Sequence, residues 1–443
     1  MDLLDFLETI NNKALKQGAT SCDSMAINDV SQDVTCRLGK IDSLERSQSK
    51  AFAIRVFIGD KHAIVSSSDF SSDNIDNLLI QAVNMAKNSP EDKDAALADK
   101  NMLIKEAKDL NLYDGSELSI EKMIETAKIV EDAMLKVEHV NNSEGSSVSS
   151  TKSKCAIAAT NGFAEQFYSS AFSMSATAVA SSVQGMETDY DYLTTRFLSD
   201  LPDPIMLGKI AGERAAKKLN PRKISTSQLP VIYSTRVARE LLSEFASSIS
   251  GTAIARGTSF LKEKMENKIF NENITITDNP HIIKGLASRS FDVEGLPTSK
   301  RNLVENGILK SWLLDLKSAR KLGLKPTGHA TKGLGSNPYP KATNLYINNG
   351  MDKLSDLIKS IKQGLLVTDI FGGGVNLLSG NYSQGASGFW IENGEVAYPV
   401  SEITLASNLI EMFLNMIPAN DLEMKYHINS PSLYIPKMTI AGM

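Results

Sequence analysis

The residues able to do chemistry in this sequence are few and scattered. Its five histidines, His62, His139, His281, His329 and His427, never lie within ten positions of one another, so no helix can carry a metal-binding pair of imidazoles. There is no HExxH or HExxxH, no CxxC, no phosphate loop, no dinucleotide GxGxxG after a strand and no GxSxG elbow. The three cysteines, Cys22, Cys36 and Cys155, are odd in number and lack metal-type spacing, which suggests a reducing, cytoplasmic setting.

Six glycines between Gly372 and Gly388, flanked by Asn376, Tyr382, Ser383 and Trp390, form the most unusual stretch. Glycine costs backbone entropy, so such clustering points to positive φ or close approach of main chains. One reading is a groove in which an extended peptide meets exposed backbone donors and acceptors, with Gly372, Gly373, Gly374, Asn376, Tyr382, Ser383, Gly385, Ser387 and Gly388 as its candidates. The plainer reading is barrel corners and bulges. Ser383 or Ser387 with His427 or His329 would be the only serine-type pairing, and the glycine stretch itself holds no base. Asp369, Glu392, Glu395 and Glu402 are candidates for a carboxylate pair, or ordinary surface acids. His329, among Lys317, Arg320, Lys321, Lys325 and Lys332, suggests either an anion-binding loop or a solvated one.

The elements that must hold these residues read as α+β. A helix is expected over about 2–17, strands near 20–29, 32–38, 51–58 and 62–67 with a turn at Gly59-Asp60, and a helix from Ser72 or Asp73 to Pro90. A polar linker over 88–116 precedes a helix at 118–138. Strands over 147–159 and 164–182 follow, joined by Thr160-Asn161-Gly162, a hairpin signal. The uncharged window Gln166 to Met186 is long enough for a membrane span, but Phe172, Met174, Ala176, Ala178 and Ala180 alternate with Ser173, Ser175, Thr177 and Ser181, which is strand periodicity. A helix runs from Pro204 to about Leu219, then come a strand at Pro230–Tyr233, a helix at 235–250, glycine-rich strands, and a helix from Glu402 to Ile417 capped by Ser401. The domain limits implied are 1–90, an α+β strand meander; 115–222, with long antiparallel strands; and 228–443, β-rich. The acidic, amphipathic start has no signal-peptide pattern.

With 443 residues, 47 basic against 52 acidic side chains and a net charge of -5, the chain is not a general nucleic-acid binder. Residues 256–341 carry +7, whereas Gln363 to Met424 contain neither Lys nor Arg, which excludes a phosphate-tracking channel there.

The glycine-rich stretch GGGVNLLSGNYSQGASGFWIENGEVAYPVSEITLASNLIEMF at 372–413 resembles the TldD/PmbA family, known as modulators of DNA gyrase and as TldD/TldE proteases. SPSLYIPKMTIAG at 430–442, SARKLGLKPTGHAT at 318–331, ARGTSFL at 255–261 and AFAIRVFIGDKHAIVSSSDFS at 51–71 match in the same order, and the resemblance is to the PmbA (TldE) branch. It implies a partner, the TldD-type subunit, whose HExxxH helix and a later cysteine hold zinc. Here VARELLSEFASSISGTA takes the place of that helix, with roughly Leu242, Ser243 and Ser247 where His, Glu and His would stand, and no cysteine follows Cys155. The resemblance therefore implies no cofactor in this chain, zinc in the partner, and a heterodimeric metallopeptidase acting on unfolded or extended peptides in the cytoplasm, without direct contact to nucleic acid or membrane. A self-standing homodimer that binds peptides, a serine-type hydrolase and a DNA-binding module are the competing readings.

Overall fold

The computed structural model describes residues 2–442. Its N-terminal half is built on one antiparallel sheet. Ser21–Arg37 (β1), Lys40–Ile58 (β2), Lys61–Ser67 (β3), Val140–Ala159 (β4), Ala164–Ser182 (β5) and Gly185–Thr195 (β6) pair in the order β3-β2-β1-β4-β5-β6. The segments 1–90 and 115–222 thus share a sheet, because β1 pairs with β4 from Asp23↔Ala159 to Cys36↔Ser146. The two strands expected at 20–29 and 32–38 are one continuous strand.

Alternation decides what each face meets. Cys22, Ala26, Val34 and Cys36 of β1 and Val148, Ala156 and Ala158 of β4 are buried on the same side. One end of that face is covered by the helices Leu3–Lys16 (α1) and Ser72–Asn88 (α2), the other by Ile120–Leu135 (α3) and Pro204–Lys217 (α4). In α1 the spacing of Leu3, Phe6, Leu7, Ile10 and Ala14 makes the apolar stripe, and Asp2 caps the helix through the Leu4 N–H at 2.9 Å. The alternation read in β5 holds, with Phe172, Met174, Ala176, Ala178 and Ala180 all buried.

The opposite face receives the C-terminal half. Cys155 and Ile157 pack with Phe163 and Phe291. Beside them Asp23 meets Arg55 at 2.6 Å and Lys332 at 2.5 Å, all three nearly inaccessible. The 88–116 segment has no long element, but it is pinned: Arg320 donates to the carbonyls of Asp94, Ala96 and Leu97, and Lys317 meets Asp92. Three cations of the loop around His329 are therefore spent on holding the halves together.

In the C-terminal half, Ser227–Tyr233 (β7) lies between the parallel strand Gln363–Asn376 and the antiparallel strand Leu433–Ala441. Asn381–Glu392 and Glu395–Asn408 continue the sheet, and Thr404–Ala406 pair with Thr439–Ala441, which closes five strands into a barrel. Its core includes Val231, Tyr233, Leu365, Val367, Tyr382 and Met438. The helix Thr235–Ser248 (α5) lays Val237, Ala238, Leu241, Leu242 and Phe245 on the same cluster.

The helix expected from Glu402 to Ile417 is strand over its first half and helix over most of its second. Glu395–Asn408 is extended, and only Leu409–Asn415 is helical, capped by Asn408 through the Ile410 N–H. Up to Asn408 the 3.6-residue spacing was coincidental, since Ile403 and Leu405 fill the barrel core in a strand paired on both edges, whereas Leu409 and Phe413 are buried on a true helix. Among the described residues no helix is long and apolar enough to cross a membrane.

Two outcomes are expected. A Cβ on Gly388 would collide with the Leu366 carbonyl, whereas one on Gly374 meets nothing within 4 Å. Gly388→Ala should lower the melting temperature by several degrees and Gly374→Ala should leave it nearly unchanged, in paired thermal scans. Burial alone would raise the Asp23 carboxyl, but Arg55 and Lys332 outweigh it and hold it at about 2, below the ordinary 3.8. Its stabilisation is therefore complete above the ordinary value and lost as pH falls toward 2. Denaturation followed from pH 5 to 2 should show a steeper acid loss in the natural chain than in Asp23→Asn.

Candidate functional site

The exposed side of α5 lines a groove. Three adjoining cavities of about 190, 570 and 390 Å³ follow the helix from Arg236 and Arg239 through Glu240 and Ser243 to Ser247. The opposite wall comes from β6, through Tyr190 and Tyr192, and from the 423–430 loop, through Tyr426 and His427.

A four-charge cluster fixes α5 against β6. Asp189, 2% exposed, meets Lys218 at 2.7 Å and Arg236 at 2.5 Å, and the same two cations reach Asp369 at 2.6 and 3.5 Å. Burial would raise the Asp189 carboxyl, but Lys218 and Arg236 reverse this and lower it. Arg236 also lies over the Tyr190 ring, 3.8 Å from its centroid.

Partial burial raises the carboxyls of Glu240, in the groove, and of Glu244, one turn further along α5, and the charge of Glu240 adds to the second shift. Burial, Lys341 and Arg239 lower the imidazole of His427, so it is neutral at pH 7. His329 sits elsewhere, buried, with Nε2 3.2 Å from Asp278 and Nδ1 2.7 Å from Thr327. Both ring nitrogens are occupied, so it serves the core and is no base for a serine.

The three positions expected to replace HExxxH fall on α5 with unlike environments. Leu242 is 2% exposed and packs into the barrel cluster; Ser243 and Ser247 face the groove, with the Ser247 hydroxyl donating to the Ser243 carbonyl at 3.0 Å. A hydrocarbon and two hydroxyls do not make a zinc site, since zinc takes imidazole, thiolate or carboxylate. The cysteines are buried in the N-terminal sheet, where burial pushes Cys22 and Cys155 up to about 12. Among the described residues no three His, Cys, Asp or Glu side chains converge for a metal.

The glycine-rich candidates lie on the hairpin of Gln363–Asn376 and Asn381–Glu392. Gly372, Gly373, Gly374 and Asn376 are exposed, as is Ser383; Gly385 and Ser387 are half-buried and Gly388 is buried. Register shifts at Phe371/Gly374 and Ala386/Gly388 bend the strands, and a Cβ at Gly373 would strike the Ser383 carbonyl. Tyr382 points into the barrel, its hydroxyl 3.1 Å from that of Tyr233. Among the described residues, none lining the three cavities belongs to this hairpin. The tyrosines and Arg239, which sequence reasoning missed, belong to three separated segments without any motif.

Family models match most of the chain: PmbA/TldA metallopeptidase domain 1 at residues 27–86, the central domain at 113–219 and the C-terminal domain at 226–442. The chain belongs to the TldD/PmbA family. A Haemophilus influenzae metalloprotease PmbA homolog is 36% identical over 432 residues, covering 97% of this chain and 94% of its own. Among solved structures, a Bacteroides thetaiotaomicron protein described as a candidate modulator of DNA gyrase superposes with a TM-score of 0.91 at 26% identity, covering 99% and 98% of the two chains. TldE from Thermococcus kodakarensis shares the fold, with a TM-score of 0.87 at 20% identity and coverage of 99% and 100%.

The environments on α5 give a direct check. Leu242→Ala should cost about 2–5 kcal/mol in denaturant unfolding, as for a core leucine. Ser243→Ala and Ser247→Ala should each stay within about 0.5 kcal/mol of the natural chain.

Proposed function

We propose that this chain is the non-metallated, TldE/PmbA-type subunit of a heterodimeric zinc metallopeptidase that acts on unfolded or extended peptides. The observation that carries the reading is α5: it holds the segment that the resemblance aligns with the HExxxH helix, and it offers Leu242 to the core and Ser243 and Ser247 to the groove. The zinc and its activating glutamate belong to a TldD-type partner, where the metal supplies a nucleophilic water. This chain contributes shape: half of the interface and part of a wall that admits extended peptides to peptide maturation and degradation. In this reading the exposed part of the glycine-rich hairpin, Gly372–Gly374, Asn376 and Ser383, would lie near the groove shared with the partner, outside the cavities along α5.

The test is an affinity pull-down of the tagged chain from its native lysate, with mass spectrometry of the eluate and a zinc count. A near-equimolar HExxxH polypeptide bringing about one zinc per pair is the expected result. A metal-free chain eluting only with copies of itself would overturn the heterodimer and favour a self-standing peptide-binding homodimer.

A further inference from the structure

We infer that the groove on α5 holds a carboxylate-recognition site centred on Arg239, which anchors an extended peptide by its C-terminal carboxylate or by an acidic side chain. The inference rests on the reading of the chain as a peptide-handling subunit, and it adds the chemistry by which this subunit would select and orient its ligand.

Among the described residues, the cations around the first two cavities are engaged, with one exception. Arg214 meets Asp191 at 2.8 Å, Arg236 meets Asp189 at 2.5 Å, and Lys425 meets Glu423 at 2.5 Å. Arg196 donates from Nη1 and Nη2 to the carbonyls of Ser170 and Leu286. Arg239 has no carboxylate within ion-pair distance, and the neighbouring Glu240 feels its charge from farther away. Its Nε donates to the Arg236 carbonyl at 3.1 Å, which fixes the guanidinium plane and leaves the Nη1–Nη2 edge free. That edge is the fork that takes both oxygens of a carboxylate in parallel hydrogen bonds.

The surroundings hold the fork in place. The guanidinium carbon lies 4.2 Å from the Tyr426 ring centroid and 5.7 Å from that of Tyr192. The rings lie 5.2 Å apart, and the Tyr426 hydroxyl donates to the Tyr192 carbonyl at 3.4 Å. Stacking restrains the arginine before any ligand arrives, so little rotamer entropy is lost on binding. Arg239 lines both the 190 and the 570 Å³ cavities, and His427 and Ser243 continue the groove into the 390 Å³ one, which leaves room for several residues of an extended chain. Glu240 borders the same space with no ion-pair partner among the described residues, and its repulsion weighs more against a multiply charged phosphate than against a single carboxylate.

The experiment uses the purified full chain and three hexapeptides of Ala, Ser and Gly labelled at the N-terminus: one with a free C-terminus, one amidated, and one amidated with a single internal Glu. Binding is read by fluorescence polarisation. The free-acid peptide should bind about tenfold or more tightly than the plain amide. Tight binding of the internal-Glu amide alone would assign the site to acidic side chains, of the free acid alone to the C-terminus, and equal strength of the two to either carboxylate. In Arg239→Met the preference should vanish, and in Arg239→Lys it should shrink to a fewfold, with folding of both checked by thermal melts. Equal binding of all three peptides, no measurable binding of any of them, a preference that survives in Arg239→Met, or displacement of the peptide by an equal concentration of inorganic phosphate would each overturn the proposal. Such failures would leave the heterodimer untouched if a zinc-bearing partner still co-elutes, and loss of the partner would leave the carboxylate preference measurable in this chain alone.

Discussion

The arrangement of the two halves turns on a nearly inaccessible carboxylate, that of Asp189, compensated by cations from two different elements. Lys218 ends α4 on the N-terminal sheet and Arg236 begins α5 on the barrel; Asp369, on a barrel strand, neutralises what remains. A buried ion cluster of this kind is weak evidence of stability, because desolvation consumes much of the attraction. It is strong as a constraint, since any displacement of α5 along β6 would strand a charge in a poorly solvated place at a cost of about 3–5 kcal/mol. The groove inherits its width from this register, and Tyr190, two residues before Tyr192, stacks on the same Arg236.

The second clamp, Asp23 with Arg55 and Lys332, works on the other side of the sheet and uses the same logic. Together the clamps explain why the basic stretch seen in the sequence does not make a basic face. Lys317, Arg320 and Lys332 point at acids and carbonyls of the N-terminal half. A local charge excess can thus serve an internal seam as readily as an anionic ligand.

How much could be read without coordinates differs by feature. Strict alternation from Phe172 to Ala180 and the Asn161-Gly162 turn were legible because both are local signals. Absence of histidine from α5 was equally plain. The Glu402–Asn408 part of the expected helix was misread, because apolar spacing cannot distinguish a helix stripe from a strand that is buried along a barrel, while Leu409–Asn415 is helical as expected. The glycine run was visible, but whether it served a ligand or main-chain packing depended on the cross-strand partner of each residue, as at Gly373 and Gly388. The Tyr192, Arg239 and Tyr426 cluster had no local signature at all, because its members meet only after β6, α5 and the 423–430 loop are in place.

Barrel closure also sets an order of events for the chain. Tyr233 and Met438 touch inside the barrel although 205 residues separate them. Until Leu433–Ala441 docks, β7 has one unpaired edge, and the Tyr233 and Tyr382 hydroxyls lack an enclosed pocket. Contacts of such long sequence separation form late and slowly. A barrel left open there would present an edge suited to adding a foreign strand. The same edge chemistry that would let such a protein hold an extended peptide makes its own half-assembled form the one most in need of protection.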